Sequence, residues 1–236
     1  MSMYGVPGIP LVQEGMGPIP PVPFQTPQNI FRFGEQTLWS TLFLPGTSVI
    51  ANSTNRIFST PVGQVGQGFG QALSIAETNL KEGGRVPAGV AYDVFGLASE
   101  IVSASQAADT SGITLATATN SVALISDALN IQHNGVLSWD FTQTTVDIGP
   151  VILAGAGGGL FGALASTLNN VNVGHLNNGN GHIWMYRKHP VALPGNSTFS
   201  IVVRFGSRAA AISQGNGLTL RVTLLGYYKN VIEIGN

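Results

Sequence analysis

Three glycines in the stretch "GPVILAGAGGGLFGALAST", Gly149 to Thr167, have a spacing that could bind a nucleotide. Gly157, Gly159 and Gly162 satisfy the pattern G-x-G-x-x-G, which in dinucleotide-binding folds places a pyrophosphate at a helix N-terminus. The apolar residues before the glycines read as a short strand, and small helix-forming residues follow them. Nucleotide binding is the most concrete chemistry that any segment of this sequence suggests.

The surroundings of these glycines argue against that chemistry. The fingerprint needs an acidic residue about 20 positions later to bind the ribose hydroxyl, but no Asp or Glu lies between Asp147 and Glu233. The sequence after Thr167, "LNNVNVGHLNNGNGH", is an Asn/Gly loop and not the start of a βαβ unit. We therefore predict no cofactor, and interpret the segment as an inter-strand loop whose Leu160 and Phe161 contact a neighbouring subunit or a membrane.

Other candidate catalytic or metal-binding residues form no recognisable constellation. Asp140 and Asp147 could serve a glycosidase or bind calcium, but a solvated strand edge is the simpler interpretation. The seven-residue spacing of His175, His182 and His189 does not match metal ligation on a strand or short loop. The chain contains no cysteine, which excludes disulfides and thiolate metal sites. We predict neither enzymatic activity nor a metal site.

The composition suggests assembly with other subunits. Only 9% of the residues are charged and 44% are apolar, against roughly 25% charged residues in ordinary soluble domains. A surface poor in charge is expected where partners cover much of it, because charged residues are depleted at interface cores.

Charge is also distributed unevenly along the chain. Residues 1–147 contain ten acidic and four basic residues, whereas residues 148–236 contain six basic residues and one acid. Six positive charges are too few for a dedicated nucleic-acid binder. They could form one inner face toward an anionic partner, and the residues concerned are Arg187, Lys188, Arg204, Arg208, Arg221 and Lys229.

The N-terminal segment "MSMYGVPGIPLVQEGMGPIPPVPF" favours an extended arm, because its prolines disfavour regular hydrogen bonding. It lacks the basic flank and continuous apolar core of a signal peptide. We divide the chain into an arm over residues 1–35 and a single domain over residues 36–236. The residues predicted to contact a neighbouring subunit are Pro18, Pro20, Pro21, Pro23 and Phe24.

Strand patterns dominate the rest of the sequence. The segments "STFSIVVRF", "GLTLRVTLLG" and "GVLSWDF" alternate apolar and polar residues, with Trp139 on the buried side. Turn residues separate these from further candidates, which gives about nine strands: "TLWSTLFL", "NRIFSTPV", "YDVFGLASEIV", "TVDIGPVIL", "HIWMYRK" and "YKNVIEIG". Helical periodicity is confined to Gly70–Leu80 and Thr117–Asn130. Together these patterns predict an all-β sandwich, jelly roll or barrel.

The order of the segments resembles a known family. "FSTPVGQVGQGF" leads to "AETNLKEGGRVPAGVAYDVFGLASEIV", followed by "GHIWMYRKHPVALPGNSTFSIVVRF" and "GLTLRVTLLGYYKNVIEIG". The shared features are the Thr78–Leu80 turn, the Leu193–Gly195 entry to a strand and the "LLG" strand near the end. Over residues 40 to 235 this resembles the jelly-roll major capsid proteins of tailless icosahedral bacteriophages and related uncultivated viruses.

The resemblance implies a major capsid subunit of the virion, made in the host cytoplasm, that self-assembles through trimers into an icosahedral shell. It implies other virion proteins as partners, an enclosed membrane or packaged genome as the anionic partner, and neither catalysis nor a small-molecule substrate. At 236 residues the chain is short for a double jelly roll, so a single elaborated roll is the expected fold. Two alternatives remain open: a jelly-roll carbohydrate-binding module or glycan-active enzyme, and an extracellular filament subunit that donates an N-terminal strand.

Overall fold

A computed structural model describes residues 29–66, 68–103, 118–141, 144–164, 174–179, 183–186, 188–213 and 217–233. These residues form one α-helix, α1 (Ala118–Asn134), one 3₁₀ helix (Val151–Ala154) and eleven strands. The strands are β1 (Asn29–Leu44), β2 (Thr54–Ile57), β3 (Val90–Ser103), β4 (Gly135–Phe141), β5 (Thr144–Pro150), β6 (Ala156–Leu164), β7 (Gly174–Gly179), β8 (Trp184–Met185), β9 (Val191–Leu193), β10 (Phe199–Phe205) and β11 (Leu218–Glu233).

Two antiparallel sheets make up the domain. The first sheet has the order β1-β11-β3-β8, and β9 also pairs with β3. The second sheet has the order β2-β10-β4-β5, and β6 pairs with β7 in a separate hairpin. Side chains from both sheets belong to one hydrophobic core, so the fold is an all-β sandwich, as the strand patterns predict.

Strict alternation of apolar side chains explains why the sheets pack in this way. On β11, Leu218, Leu220, Val222 and Leu224 are buried, whereas the residues between them are only partly buried. Burying one such side chain contributes roughly 1.5–3 kcal/mol. Trp139 on β4 is 2% exposed, and its Nε1 donates a hydrogen bond of 2.7 Å to the Tyr186 hydroxyl beside β8. That bond joins the two sheets across the core.

The strand pairs alternate regularly between the sheets. β1 pairs with β11 in the first sheet, and β2 pairs with β10 in the second. β3 then pairs with β9 and β8 in the first sheet, and β4 pairs with β5 in the second. These strand pairs therefore lie alternately in the first and the second sheet.

The connections meet at the two ends of the sandwich. At one end, the loop after β1 receives a bond from Ile212 N to Ser48 O of 3.0 Å, and Asn130 of α1 donates its side-chain N–H to Ala210 O at 2.8 Å. At the opposite end, Val86 N donates to Ser197 O at 3.0 Å. Helix α1 and the β6–β7 hairpin are thus additions to a regular sandwich.

Several sequence predictions are confirmed and others are wrong. "GVLSWDF" forms β4 over its whole length, and the second helical stretch forms α1. The predicted helix Gly70–Leu80 is wrong, because Ser74 and Glu77 close a single turn through their side chains and no helix continues from it. The last two predicted strands are one continuous strand, β11. Residues 29–35, assigned to the arm, belong to β1.

The glycine segment also differs from its interpretation as a loop. Val151–Ala154 is a 3₁₀ helix instead of a strand. The glycines that follow, together with Leu160 and Phe161, lie in β6, which pairs antiparallel with β7. Glycine backbones adopt an extended conformation as readily as a turn. The pairing with β7 therefore determined that this segment is a strand.

Candidate interaction surface

Alternation along the strands of the first sheet directs a second set of apolar side chains outward. Trp39 on β1, Leu225 on β11 and Ala98 on β3 point away from the core, since their strand neighbours Leu38, Leu224 and Leu97 are buried. An antiparallel sheet with one solvated face normally places polar residues at such positions. The outer face of the first sheet is therefore apolar around these three residues, although the same strands also expose charged side chains such as Glu35 and Asp93.

A segment before β3 forms one wall along this outer face. The side-chain oxygen of Asn79 accepts from Trp39 N at 2.9 Å, and its side-chain N–H donates to Thr37 O at 2.7 Å. Asn79 N donates to Trp39 O at 3.2 Å, and Trp39 Nε1 donates to Ile75 O at 3.0 Å. The segment 74–79 thereby pairs with the free edge of β1, which would otherwise present unpaired N–H and C=O groups.

A β-bulge and the short strand β8 form the opposite wall. The register between β3 and β11 shifts between Leu225 and Gly226. Phe95 is therefore an extra residue on β3, as in a β-bulge. The Phe95 ring lies 5.0 Å from the ring of Tyr227 on the outer face. Beside it, Ile183 and Met185 are 39% and 45% exposed.

The two walls enclose a cavity of about 480 Å³, which we call the outer-face groove. Its lining is mostly apolar, with Arg221 and Glu100 among the exceptions. The residues that line it are Trp39, Ile75, Ala76, Ala98, Ser99, Glu100, Ala156, Ile183, Arg221, Thr223 and Leu225.

The charges in the outer-face groove neutralise each other. The Arg221 guanidinium lies 2.7 Å from the Glu100 carboxylate and donates a second hydrogen bond to Ala76 O at 3.0 Å. Its Nε is buried and has no hydrogen-bond partner among the described residues. An occupant of the groove thus meets apolar side chains and a paired ion.

The outer face of the second sheet is polar. Arg56 lies 2.8 Å from the Asp140 carboxylate. Arg204 lies 3.1 Å from Asp147, which also accepts a hydrogen bond of 2.7 Å from the Ser138 hydroxyl. Asp140 and Asp147 are therefore each paired with an arginine that lies two strands away in the sheet.

The six basic residues of the C-terminal half are not brought together on one face. Arg204 lies on the outer face of the second sheet and Arg221 on that of the first, so the sandwich separates them. Both are paired with carboxylates. Lys188, Arg208 and Lys229 are exposed at separate positions, and Arg187 lies outside the described residues. Of the predicted inner face toward an anionic partner, Arg204 and Arg221 therefore do not share one face.

The predicted subunit contacts lie largely beyond what the structure describes. Pro18, Pro20, Pro21, Pro23 and Phe24 are outside the described residues. For Leu160 and Phe161 only the strand backbone of β6 is described. Gly157, Gly159 and Gly162 lie on the same strand, so they do not form the strand–turn–helix geometry that phosphate binding requires.

The described part of the chain contains no group of three or more His, Asp or Glu side chains placed to bind a metal ion. His133 and His189 are both exposed, far apart in the sequence. Within those same residues, no helix is long and apolar enough to cross a membrane.

The outer-face groove was missed at the sequence level, although one signal was present. In "TLWSTLFL" apolar residues occur on both faces of the strand: Leu38 and Leu42 point inward, and Trp39 and Phe43 point outward. Apolar residues in both phases are typical of a strand covered on both sides. The Thr78–Leu80 turn, noted only as a shared feature, proves to be part of the wall beside β1.

Comparison with known proteins gives no relative. No protein-family model, no curated protein and no solved structure matches this chain.

Proposed function

We propose that this protein is a non-catalytic structural subunit, a capsid protein that assembles with copies of itself into a virion shell. The observation that carries the proposal is the mostly apolar outer-face groove of the first sheet, on a chain with only 9% charged residues. An isolated soluble subunit gains nothing from exposing such a face, whereas an assembled one buries it against a neighbour.

The fold within this proposal is a single jelly roll. Rolling up a two-stranded ribbon puts successive strand pairs alternately in two sheets, and the pairs β1–β11, β2–β10, β3–β9 and β4–β5 follow that order. Eight-stranded jelly rolls occur in viral capsid and lectin domains. The fold alone is therefore compatible with both a capsid and a lectin function. The choice between them rests on the surface of the domain.

The resemblance supports further parts of the proposal. Trimers would be the intermediate unit, the arm would join subunits, and other virion proteins would complete the particle. An anionic partner, an enclosed membrane or the genome, would have to be bound through separate basic positions such as Lys188 and Arg208, which are exposed.

The size of the full-length protein in solution tests this function. Light scattering followed by negative-stain electron microscopy should show closed shells or stable trimers. Deletion of residues 1–28, which precede β1, should abolish the large species. Deletion of residues 1–14 keeps Pro18 to Phe24 and is the matched control, which should still assemble. A monomer near 24.6 kDa would overturn the proposal, and open fibres would favour the filament subunit.

Glycan binding is a second candidate function, because the outer-face groove places an aromatic ring beside charged side chains. Trp39, Glu100 and Arg221 all line it. However, Trp39 Nε1 already donates to Ile75 O, and the two charges are paired with each other. Titration of oligosaccharides against the tryptophan fluorescence of the full-length protein tests this candidate. Saturable quenching that Trp39→Phe abolishes would favour it over the shell.

A further inference from the structure

We propose that the outer-face groove binds the proline-rich N-terminal segment, residues 1–28, of a neighbouring copy of the chain. This inference rests on the proposed function, since it requires neighbouring subunits. It adds which surface of the subunit receives the segment and in which conformation the segment binds.

The chemistry of the segment matches that of the groove. Seven of its 28 residues are prolines and its only charged side chain is Glu14. Proline-rich segments favour the extended polyproline II conformation, which aromatic-lined grooves recognise at low entropic cost. Trp39 provides the aromatic wall, and Ile75, Ile183 and Leu225 provide aliphatic contacts.

Electrostatics also favour this occupant over a charged one. Because Glu100 and Arg221 satisfy each other at 2.7 Å, a nearly uncharged segment can cover them without separating a charge from its partner. Polyproline II backbone carbonyls are not bonded within the segment. Arg221 Nε is buried and has no partner among the described residues, so one of these carbonyls could accept from it only after the Arg221 side chain shifts.

The wall beside β1 indicates that the segment lies in the groove instead of adding a strand. Asn79 and Thr78 already bond to the β1 edge at Thr37 and Trp39, and Thr41 Oγ1 donates to Glu77 O at 3.1 Å. Strand addition at these positions would have to displace the segment 74–79. The open surface is the groove between the walls.

The position of Asn29 favours a neighbour's segment over the subunit's own. β1 starts at Asn29, ten residues before Trp39, which corresponds to about 33 Å along a strand. To reach the subunit's own groove, residues 1–28 would have to reverse direction at Asn29, whereas a segment from a neighbouring copy needs no such reversal. Twenty-eight extended residues span about 87 Å, enough to reach a groove on an adjacent subunit.

Engineered cysteines test this arrangement cleanly, because the chain has none of its own. One full-length variant carries Val22→Cys, between Pro21 and Pro23, and a second carries Ile183→Cys in the groove. The two proteins are mixed under assembly conditions, oxidised and separated on a non-reducing gel. Ile75→Cys, on the opposite wall and 62% exposed, replaces Ile183→Cys if that variant fails to fold.

The matched control is Thr54→Cys, an exposed position on the outer face of the second sheet. We expect the groove pair to form a disulfide-linked dimer at a rate at least about tenfold above the control, because a docked segment raises the local thiol concentration to about the millimolar range. Equal rates for the groove and control pairs would overturn the proposal.

A double variant, Val22→Cys with Ile183→Cys in one chain, separates the two origins of the segment. An intramolecular disulfide here, with no dimer in the mixed experiment, would show that the subunit's own segment occupies the groove and would overturn the exchange between copies. Large species without any groove disulfide would leave the shell function standing and remove only this inference. A monomer in light scattering would remove the shell function itself.

Discussion

The outer faces of the two sheets differ although both sheets share one core. The second sheet places Arg56, Asp140, Arg204 and Asp147 outward and pairs them across strands. On the first sheet, Arg221 pairs with Glu100 beside the apolar side chains that line the outer-face groove. The inner faces give little hint of this difference, since both are mostly apolar, with Ser40 and Ser99 as buried polar residues on the first sheet.

The difference indicates which surface would be covered in the proposed assembly. A polar face with paired charges is stable in water, whereas a contiguous apolar face marks an interaction site. The first sheet already covers part of its outer face with its own segment 74–79, through bonds to β1. What remains open is the outer-face groove, and the proposed shell would close it.

The largest expected effect concerns the segment 74–79, which forms the wall beside β1 on the first sheet. Asn79→Ala removes two side-chain hydrogen bonds, to Trp39 N and Thr37 O, and leaves the β1 edge unpaired there. We expect the free energy of unfolding to fall by about 2–3 kcal/mol, measured by urea denaturation. The control is Thr54→Ala, at an exposed position on the second sheet. It should change the free energy of unfolding by less than about 0.5 kcal/mol. Equal effects would show that segment 74–79 contributes nothing to the first sheet.

The next prediction compares the ion pair on the outer face of the first sheet with a similar ion pair on the outer face of the second sheet. Arg221→Met leaves Glu100, whose side chain is 25% exposed, without its cation, and should cost about 1–2 kcal/mol. Arg204→Met leaves Asp147, which is 70% exposed and regains water, and should cost about 0–0.5 kcal/mol.

Salt dependence provides an independent measurement of the same comparison. Raising the ionic strength from about 0.1 to 1 M shortens the Debye length from about 10 to 3 Å, and the more exposed Arg204–Asp147 pair should be screened more. A larger cost for Arg204→Met than for Arg221→Met would contradict the distinction between the two faces.

Alternation and turn residues predicted most of the sandwich. β4, β10 and α1 lie where the sequence patterns placed them, because inward Leu, Val, Ile and Phe residues determine the phase of a strand whatever lies outside it. The same patterns could not identify the partners of the outward residues. Trp39, Ile75 and Ile183 are far apart in sequence and meet only through the sheet order.

Segments with weak patterns were assigned incorrectly for a related reason. Residues 74–79 contain helix-forming residues, yet Thr78 and Asn79 use their side chains on β1 instead of continuing a helix. Side chains of this kind compete with helical hydrogen bonds. The glycine-rich β6 has no side-chain pattern of its own, and only its partner β7 determined that it would be a strand.

The smallest effect concerns the hydrogen bond that joins the sheets beneath both faces. Tyr186→Phe removes the acceptor of the Trp139 Nε1–H at 2.7 Å and should lower the free energy of unfolding by about 1 kcal/mol at pH 7. Burial raises the pKa of Tyr186 above its ordinary value of 10.0, although the bond from Trp139 acts in the opposite direction. Tyr227→Phe, half exposed on the outer face, is the control at pH 7.

The pH dependence of the Tyr186→Phe effect then has a definite sign. Because its folded pKa is the higher one, the unfolded state ionises first, so the contribution of Tyr186 is fully present below pH 10 and is lost as pH rises through the folded pKa. The pKa of Tyr92 is also raised by burial. Because Tyr92 is present in both the wild type and Tyr186→Phe, its contribution cancels in the difference between them. Urea unfolding between pH 7 and about 11 should therefore show the gap between wild type and Tyr186→Phe narrowing above pH 10. A gap that stays constant would contradict the raised pKa of Tyr186, and no gap at pH 7 would mean that the hydrogen bond from Trp139 contributes nothing to stability.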